Sequence, residues 1–140
     1  MKKNINFIAN CIPPKATSQQ KGVRVVKGKP MYFKKAHVHE AEDQMIDLFR
    51  PYAPDEPLSG PLLLEIAWVY PWRKSEPKKN QSDGLRWCDT RPDCSNLVKM
   101  AEDCLCKLGF FHDDAQVSKL VFSKYWGDEP CIAVEIRQLE

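Results

Sequence analysis

The amino-acid sequence predicts one α+β domain, a mixed β-sheet carrying two main helices. Three observations lead there. Two stretches repeat apolar residues at helical spacing, a run at 62–70 is apolar on both faces, and short alternating segments occur near both ends of the chain. With 140 residues, 43% of them hydrophobic and 29% charged, residues 1–140 have the make-up of a globular chain with a single core.

Residues 4–9 alternate moderately and stop before Pro13-Pro14, which lack N–H donors and belong at a strand end or in an extended loop. Residues 23–26 and 31–33 flank Lys27-Gly28-Lys29-Pro30, a break that suits a hairpin or an irregular basic loop. Over 36–49, Val38, Ala41, Met45, Leu48 and Phe49 recur at helical spacing, while Glu40, Glu42, Asp43 and Asp47 take other positions. Pro51, Pro54 and Pro57 prevent the helix from continuing, and Gly60-Pro61 precedes a fresh element. In 62–70, Leu62, Leu64, Ile66, Trp68 and Tyr70 alternate with Leu63, Glu65, Ala67 and Val69. Two largely apolar faces mark a strand inside a sheet.

Residues 71–91 read as a long, basic, mobile loop with Trp72 and Trp87 interleaved. Such a loop either follows a phosphate backbone and stacks on unpaired bases, or is plain surface whose tryptophans tuck into the core. The second helix is expected over 95–108, with Leu97, Ala101, Cys104 and Leu108 on one face and Gly109 as its C-terminal cap. Residues 117–126 and 131–139 alternate on either side of Gly127-Asp128-Glu129-Pro130 and predict an antiparallel hairpin.

The net charge of +2 conceals an asymmetry: the first 35 residues contain nine Lys or Arg and no Asp or Glu. A basic quarter on an otherwise acidic chain favours a polyanionic partner, since each neutralised phosphate releases counterions. A solvated lysine-rich surface is the plain alternative. The residues expected to bind DNA are Lys15, Lys21, Arg24, Lys27, Lys29, Lys34 and Lys35, with Arg73, Lys74, Lys78 and Lys79 in the later loop. No apolar run is long enough to span a membrane, and no export signal accompanies the six cysteines, which read as reduced thiols of a cytoplasmic protein. Neither the cysteine spacing nor the three histidines composes a zinc site.

On a helical wheel Asn96, Lys99 and Asp103 share the face opposite Leu97, Ala101 and Leu108. Asp93 precedes this helix, and Asp113 and Asp114 follow it. If helix and strand pack side by side, Asp93 and Asp114 converge, and converging carboxylates favour a hard cation such as Mg²⁺ or Mn²⁺. The same residues also fit a helix cap, a turn and an i,i+4 surface pair.

The segment Arg91-Pro92-Asp93-Cys94-Ser95-Asn96-Leu97-Val98-Lys99, then Asp103, then Gly109-Phe110-Phe111-His112-Asp113-Asp114-Ala115-Gln116-Val117 resembles the signature of RusA-type Holliday junction resolvases. Ile12-Pro13-Pro14, Gln19-Gln20-Lys21-Gly22, Leu58-Ser59-Gly60-Pro61 and Lys124-Tyr125-Trp126 add to the likeness, which covers nearly the whole chain. The resemblance implies a homodimer that binds branched DNA, namely four-way junctions, and cuts opposed strands with Mg²⁺. It implies Asp93 and Asp114 as metal ligands, Lys99 as catalytic lysine, and Asn96, Asp103 and Asp113 as supporting groups. One position departs: the family pattern has a second Asp where this chain has Ser95, a neutral hydroxyl expected at the metal in its place. The rival readings are a junction binder whose catalysis Ser95 has abolished, and an enzyme acting on a small phosphorylated metabolite. As a third role for Ser95, its hydroxyl would cap the helix.

Overall fold

The structure, a computed structural model, describes residues 2–15, 21–34 and 36–140; at 21, 22, 32–34 and 37 it describes the backbone alone. Five strands form one mixed sheet: β1 (Asn4–Asn10), β4 (Leu62–Pro71), β5 (Leu85–Trp87), β6 (Val117–Gly127) and β7 (Cys131–Gln138), in the order β1-β7-β4-β6-β5. A separate two-stranded sheet is made by β2 (Lys21–Val26) and β3 (Lys29–Lys34). The main helices are α1 (Ala36–Phe49) and α3 (Cys94–Lys107), with a single turn, α2 (Lys78–Gln81), between β4 and β5. Among the described residues no helix is long and apolar enough to cross a membrane.

The apolar run at 62–70 takes the middle position its two faces demand, pairing in parallel with β6 and antiparallel with β7. Leu62, Leu64, Ile66, Trp68 and Tyr70 are all under 2% exposed and form one wall of the core. Met45 and Phe49 of α1 and Leu97, Met100, Ala101 and Leu105 of α3 belong to the same buried cluster. The larger of these side chains each contribute about 1.5–3 kcal/mol by leaving water. The expected hairpin of 117–126 with 131–139 does not form, because β4 lies between β6 and β7. A strand apolar on both faces satisfies its backbone only with a neighbour along each edge, and three linking residues span two strand spacings of about 4.8 Å.

Residues 71–91 are likewise not a structureless loop: α2 caps the excursion, and β5 returns to pair antiparallel with β6. The buried carboxylate of Glu76 organises it, accepting from Asn80 Nδ2 at 3.5 Å and lying 3.7 Å from Arg73. The break at Lys27-Gly28 is a tight hairpin turn in which both residues have positive φ, 52° and 78°. That geometry matches the right-handed twist of the two strands. None of the six cysteines is joined in a disulfide, and Cys88 and Cys104 are buried.

Candidate active site at the two ends of α3

The amphipathic pattern of 95–108 becomes α3, which starts one residue earlier than its periodicity indicates, with Asp93 as its N-cap. Ser95 is therefore neither the cap nor part of an extended segment: it is exposed in the first helical turn. The Asp93 main-chain carbonyl accepts from Asn96 and Leu97, both at 3.1 Å, but its carboxylate makes no capping hydrogen bond. An exposed anion at the positive end of the helix dipole is thus left available to a ligand. Lys99 is exposed, Asn96 and Asp103 are half-buried, and the opposite face is buried, as the wheel requires.

The C-terminal end of α3 is closed by Gly109, whose φ of 82° only glycine adopts without strain. Gly109 N–H donates to Cys106 O at 3.0 Å and Phe110 N–H to Leu105 O at 3.1 Å, the paired bonds that end a helix and turn the chain back. Asp113 then caps a short 3-10 turn, Asp114–Gln116, with its Oδ1 accepting from Ala115 N–H at 2.9 Å. Gln116 locks this turn with all its capacity. Its Oε1 accepts from His112 N–H at 2.7 Å and Asp113 N–H at 2.9 Å, and its Nε2 donates to Leu58 O at 3.0 Å and Gly60 O at 2.9 Å.

Asp113 and Asp114 are consequently unequal. The Ala115 N–H, then the hydrogen bond shared with Asp114, hold the Asp113 carboxyl below the usual carboxylate range. The same shared hydrogen bond, with desolvation and the charges of Asp113 and Asp103, pushes Asp114 up. Glu102 is raised too, by burial first and then by Asp114 and Asp103. Asp103, Asp113 and Asp114 line one shallow hollow of ≈ 330 Å³ with Cys106, Lys107 and His112. A larger groove of ≈ 550 Å³ lies on the uncovered face of the sheet, lined by Asn6, Ile8, Glu65, Ala67, Ala133 and Glu135 among others. It contains no cationic or nucleophilic side chain, so the chemistry is assigned to the smaller hollow.

The structure thus brings Asp103, Asp113 and Asp114 together. Asp93 lies at the other end of the helix, ten residues before Asp103, about 15 Å of helical rise. Among the described residues no group of three or more His, Cys, Asp or Glu side chains is placed to hold a metal ion. The donor set fits a hard divalent cation nonetheless: Mg²⁺ takes one or two protein carboxylates and completes its shell with water and substrate phosphate. Crowded negative charge at Asp114 is what such a cation would relieve.

Of the basic residues, Lys15, Arg24, Lys27, Lys29, Arg73, Lys74, Lys78 and Lys79 are exposed. Lys15 lies over the Tyr70 ring at 5.9 Å, and Arg73 is shared between Glu76 and the Trp126 ring at 5.7 Å. The side chains of Lys21 and Lys34, and the whole of Gln19, Gln20 and Lys35, fall outside the described residues. The two tryptophans divide: Trp72 donates Nε1–H to Asp128 at 2.6 Å, whereas Trp87 stacks on Tyr125 at 4.7 Å and is 73% exposed.

Three residues escaped the reading of chemistry from sequence. Glu102 feels the charges of Asp114 and Asp103, Gln116 holds the aspartate turn, and Lys124 buries its ammonium beneath the approach to Asp93, donating to Thr90 O and to Pro92 O at 2.7 Å. Gln116 and Lys124 stood within the quoted motifs, but a charge on an alternating strand gives no sign that it points inward.

Comparison with known proteins places these features in context. A family model described as "Endodeoxyribonuclease RusA" matches residues 12–137. The chain is 27% identical over 143 residues to a protein named crossover junction endodeoxyribonuclease rusA from Lactococcus phage r1t, covering 99% of this chain and 100% of that one. It is 29% identical over 132 residues to the uncharacterized protein YqaN of Bacillus subtilis (strain 168), covering 84% of this chain and 92% of the relative.

Proposed function

Because this chain belongs to the RusA family of endodeoxyribonucleases, we propose that it resolves four-way DNA junctions by phosphodiester hydrolysis, as a homodimer that uses Mg²⁺ or Mn²⁺. The observation that carries the reading is the Asp113-Asp114 pair, held rigidly beside Asp103 on a chain whose family cuts DNA. Asp114, beside Asp103 and Asp113, would hold the cation near the C-terminal end of α3, while Asp93 and the neutral Ser95 would offer further oxygen ligands at the start of the helix. When bound, the cation offsets phosphate charge and acidifies a water molecule. Lys99 stabilises the negative charge that develops on the phosphate as the water oxygen bonds to phosphorus and the ester P–O bond breaks. Asn96 orients the same helical face, while Asp103 and Asp113 sustain the negative field at Asp114.

The exposed bases Arg24, Lys27, Lys29, Lys74, Lys78 and Lys79 supply phosphate contacts, together with Lys15, Lys21, Lys34, Lys35 and Arg73. Two copies are required because opposed strands of a two-fold junction are most simply cut by two symmetry-related sites. A second reading, a junction binder without catalysis, rests on one observation: Ser95 carries no charge. Incubating the protein with a labelled synthetic four-way junction in Mg²⁺ and in Mn²⁺ separates them. Nicking supports the nuclease; salt-sensitive binding without nicking in either metal supports the binder.

A further inference from the structure

Lys124 and Glu76 are the buried charged side chains among the described residues, at 8% exposure each. Glu76 has Arg73 beside it. Lys124 pairs with no carboxylate among the described residues: its ammonium donates to two main-chain carbonyls, Thr90 O and Pro92 O. Taking an ammonium out of water costs several kcal/mol, and carbonyl oxygens offset only part of that. An apolar side chain would fill the same place opposite Trp68 of β4 at lower cost. Stability alone therefore does not account for a lysine there.

Beyond its place in the ladder with β4, its ammonium and its carbonyl converge on one stretch. The Lys124 carbonyl accepts from Cys88 N–H at 3.1 Å, and its ammonium reaches residues 90 and 92. One residue of β6 thus grips alternate positions of a single segment, and the next residue along is Asp93. Asp93 begins α3 without spending its carboxylate on a cap, although an aspartate in that place ordinarily bonds the helix's free N–H groups.

We propose that Lys124 is a positioning residue for the cleavage reaction: by fixing residues 88–92 it presents the Asp93 carboxylate outward from the start of α3. The proposal rests on the assignment of Asp93 to the catalytic machinery. It gives the lysine a reason to be charged and buried, because three N–H donors on one nitrogen hold two carbonyls that no apolar group could hold.

The test is Lys124→Met, which keeps side-chain length and removes the donors. Single-turnover junction cleavage should fall on the order of a hundredfold, the cost of a displaced reacting group, while junction affinity without metal stays unchanged. Mn²⁺ affinity, read by electron paramagnetic resonance, should weaken, and the loss should vanish in protein already carrying Asp93→Asn. A folded Lys124→Met protein with parental cleavage overturns the proposal, as does an equal Mn²⁺ loss with and without Asp93→Asn. Where Lys124→Met does not fold, the unmutated protein decides: the ¹⁵N-labelled Lys124 ammonium signal should shift on adding Mg²⁺ and should cease to respond in Asp93→Asn. A signal indifferent to Mg²⁺ overturns it. An unmutated protein inert on junctions would instead sink the nuclease reading, and the Mn²⁺ and ammonium measurements would still judge Lys124.

Discussion

The β2–β3 hairpin and the corner where α3 meets β6 are built in opposite ways. The hairpin is a sheet of its own, held by its ladder and a tight turn, and it shows solvent Val23, Val25 and Met31, each about half exposed or more. Its described charged side chains, Arg24, Lys27 and Lys29, are all basic and exposed. The corner is tied into the body by a helix-ending glycine, a capping aspartate and the four bonds of Gln116, and its charge is negative. Two isolated strands have little independent stability, so a hairpin of this kind gains most from a partner laid along it. A pre-ordered acidic corner suits chemistry, where a fraction of an ångström matters. Affinity and catalysis are accordingly assigned to separate parts of the chain, and each part should fail separately.

The largest effect is expected at the carboxylates. Asp93→Asn, Asp114→Asn and Lys99→Ala should each lower junction cleavage on the order of a thousandfold; binding should be retained or tightened in the two carboxylate variants, since less negative charge faces the phosphates, and largely retained in Lys99→Ala. Gel-shift and cleavage assays on the same preparations check this; retained cleavage by Asp114→Asn moves the site elsewhere.

Next comes the basic arm. Neutralising Lys27, Lys29, Lys34 and Lys35 together should weaken junction binding about 10- to 100-fold and flatten the salt dependence by up to about four counterions. Cleavage of fully bound junction should be unaffected. A salt slope equal to that of the parent would remove the arm from the interface.

Ser95→Asp sharpens the corner from the other side. Added charge in the first turn of α3 favours both the helix dipole and the cation, so cleavage at low Mg²⁺ should rise roughly three- to tenfold with folding unharmed. Identical Mg²⁺ titrations of the two proteins would show that Ser95 contributes nothing to the metal.

The smallest effect is in pH. A proton competes with the cation at Asp114, and because that carboxyl is raised above its ordinary value, activity should fade on acidification before an unperturbed aspartate would protonate. Asp113→Asn keeps a capping side chain but removes the neighbouring charge, lowering the Asp114 pKa, so the acid limb of the rate profile should move to lower pH. An unmoved limb would mean that Asp114 does not govern it.

The helices, the central strand and the hairpin turn were legible because each obeys a local rule: apolar spacing over 36–49 and 95–108, two apolar faces over 62–70, and glycine in Lys27-Gly28. The order of β6 and β7 was not, because alternation tells which face a residue takes but not which strand lies beside it. The short β5 was lost inside a polar stretch, since three exposed residues leave no burial pattern to read. At the site, the identity of the acidic residues was plain from the motif. What sets them apart was hidden, because the Nε2 bonds of Gln116 and the reach of Lys124 join residues 32 or more positions apart.

The central claim is that the acidic corner cuts branched DNA, and the most direct measurement compares a four-way junction with a linear duplex of the same sequence in Mg²⁺, mapping nicks on every strand. The account predicts paired nicks in two opposed strands of the junction, little cutting of the duplex, and loss of both nicks in Asp114→Asn. Equal cutting of junction and duplex, or nicks that survive Asp114→Asn, would contradict it.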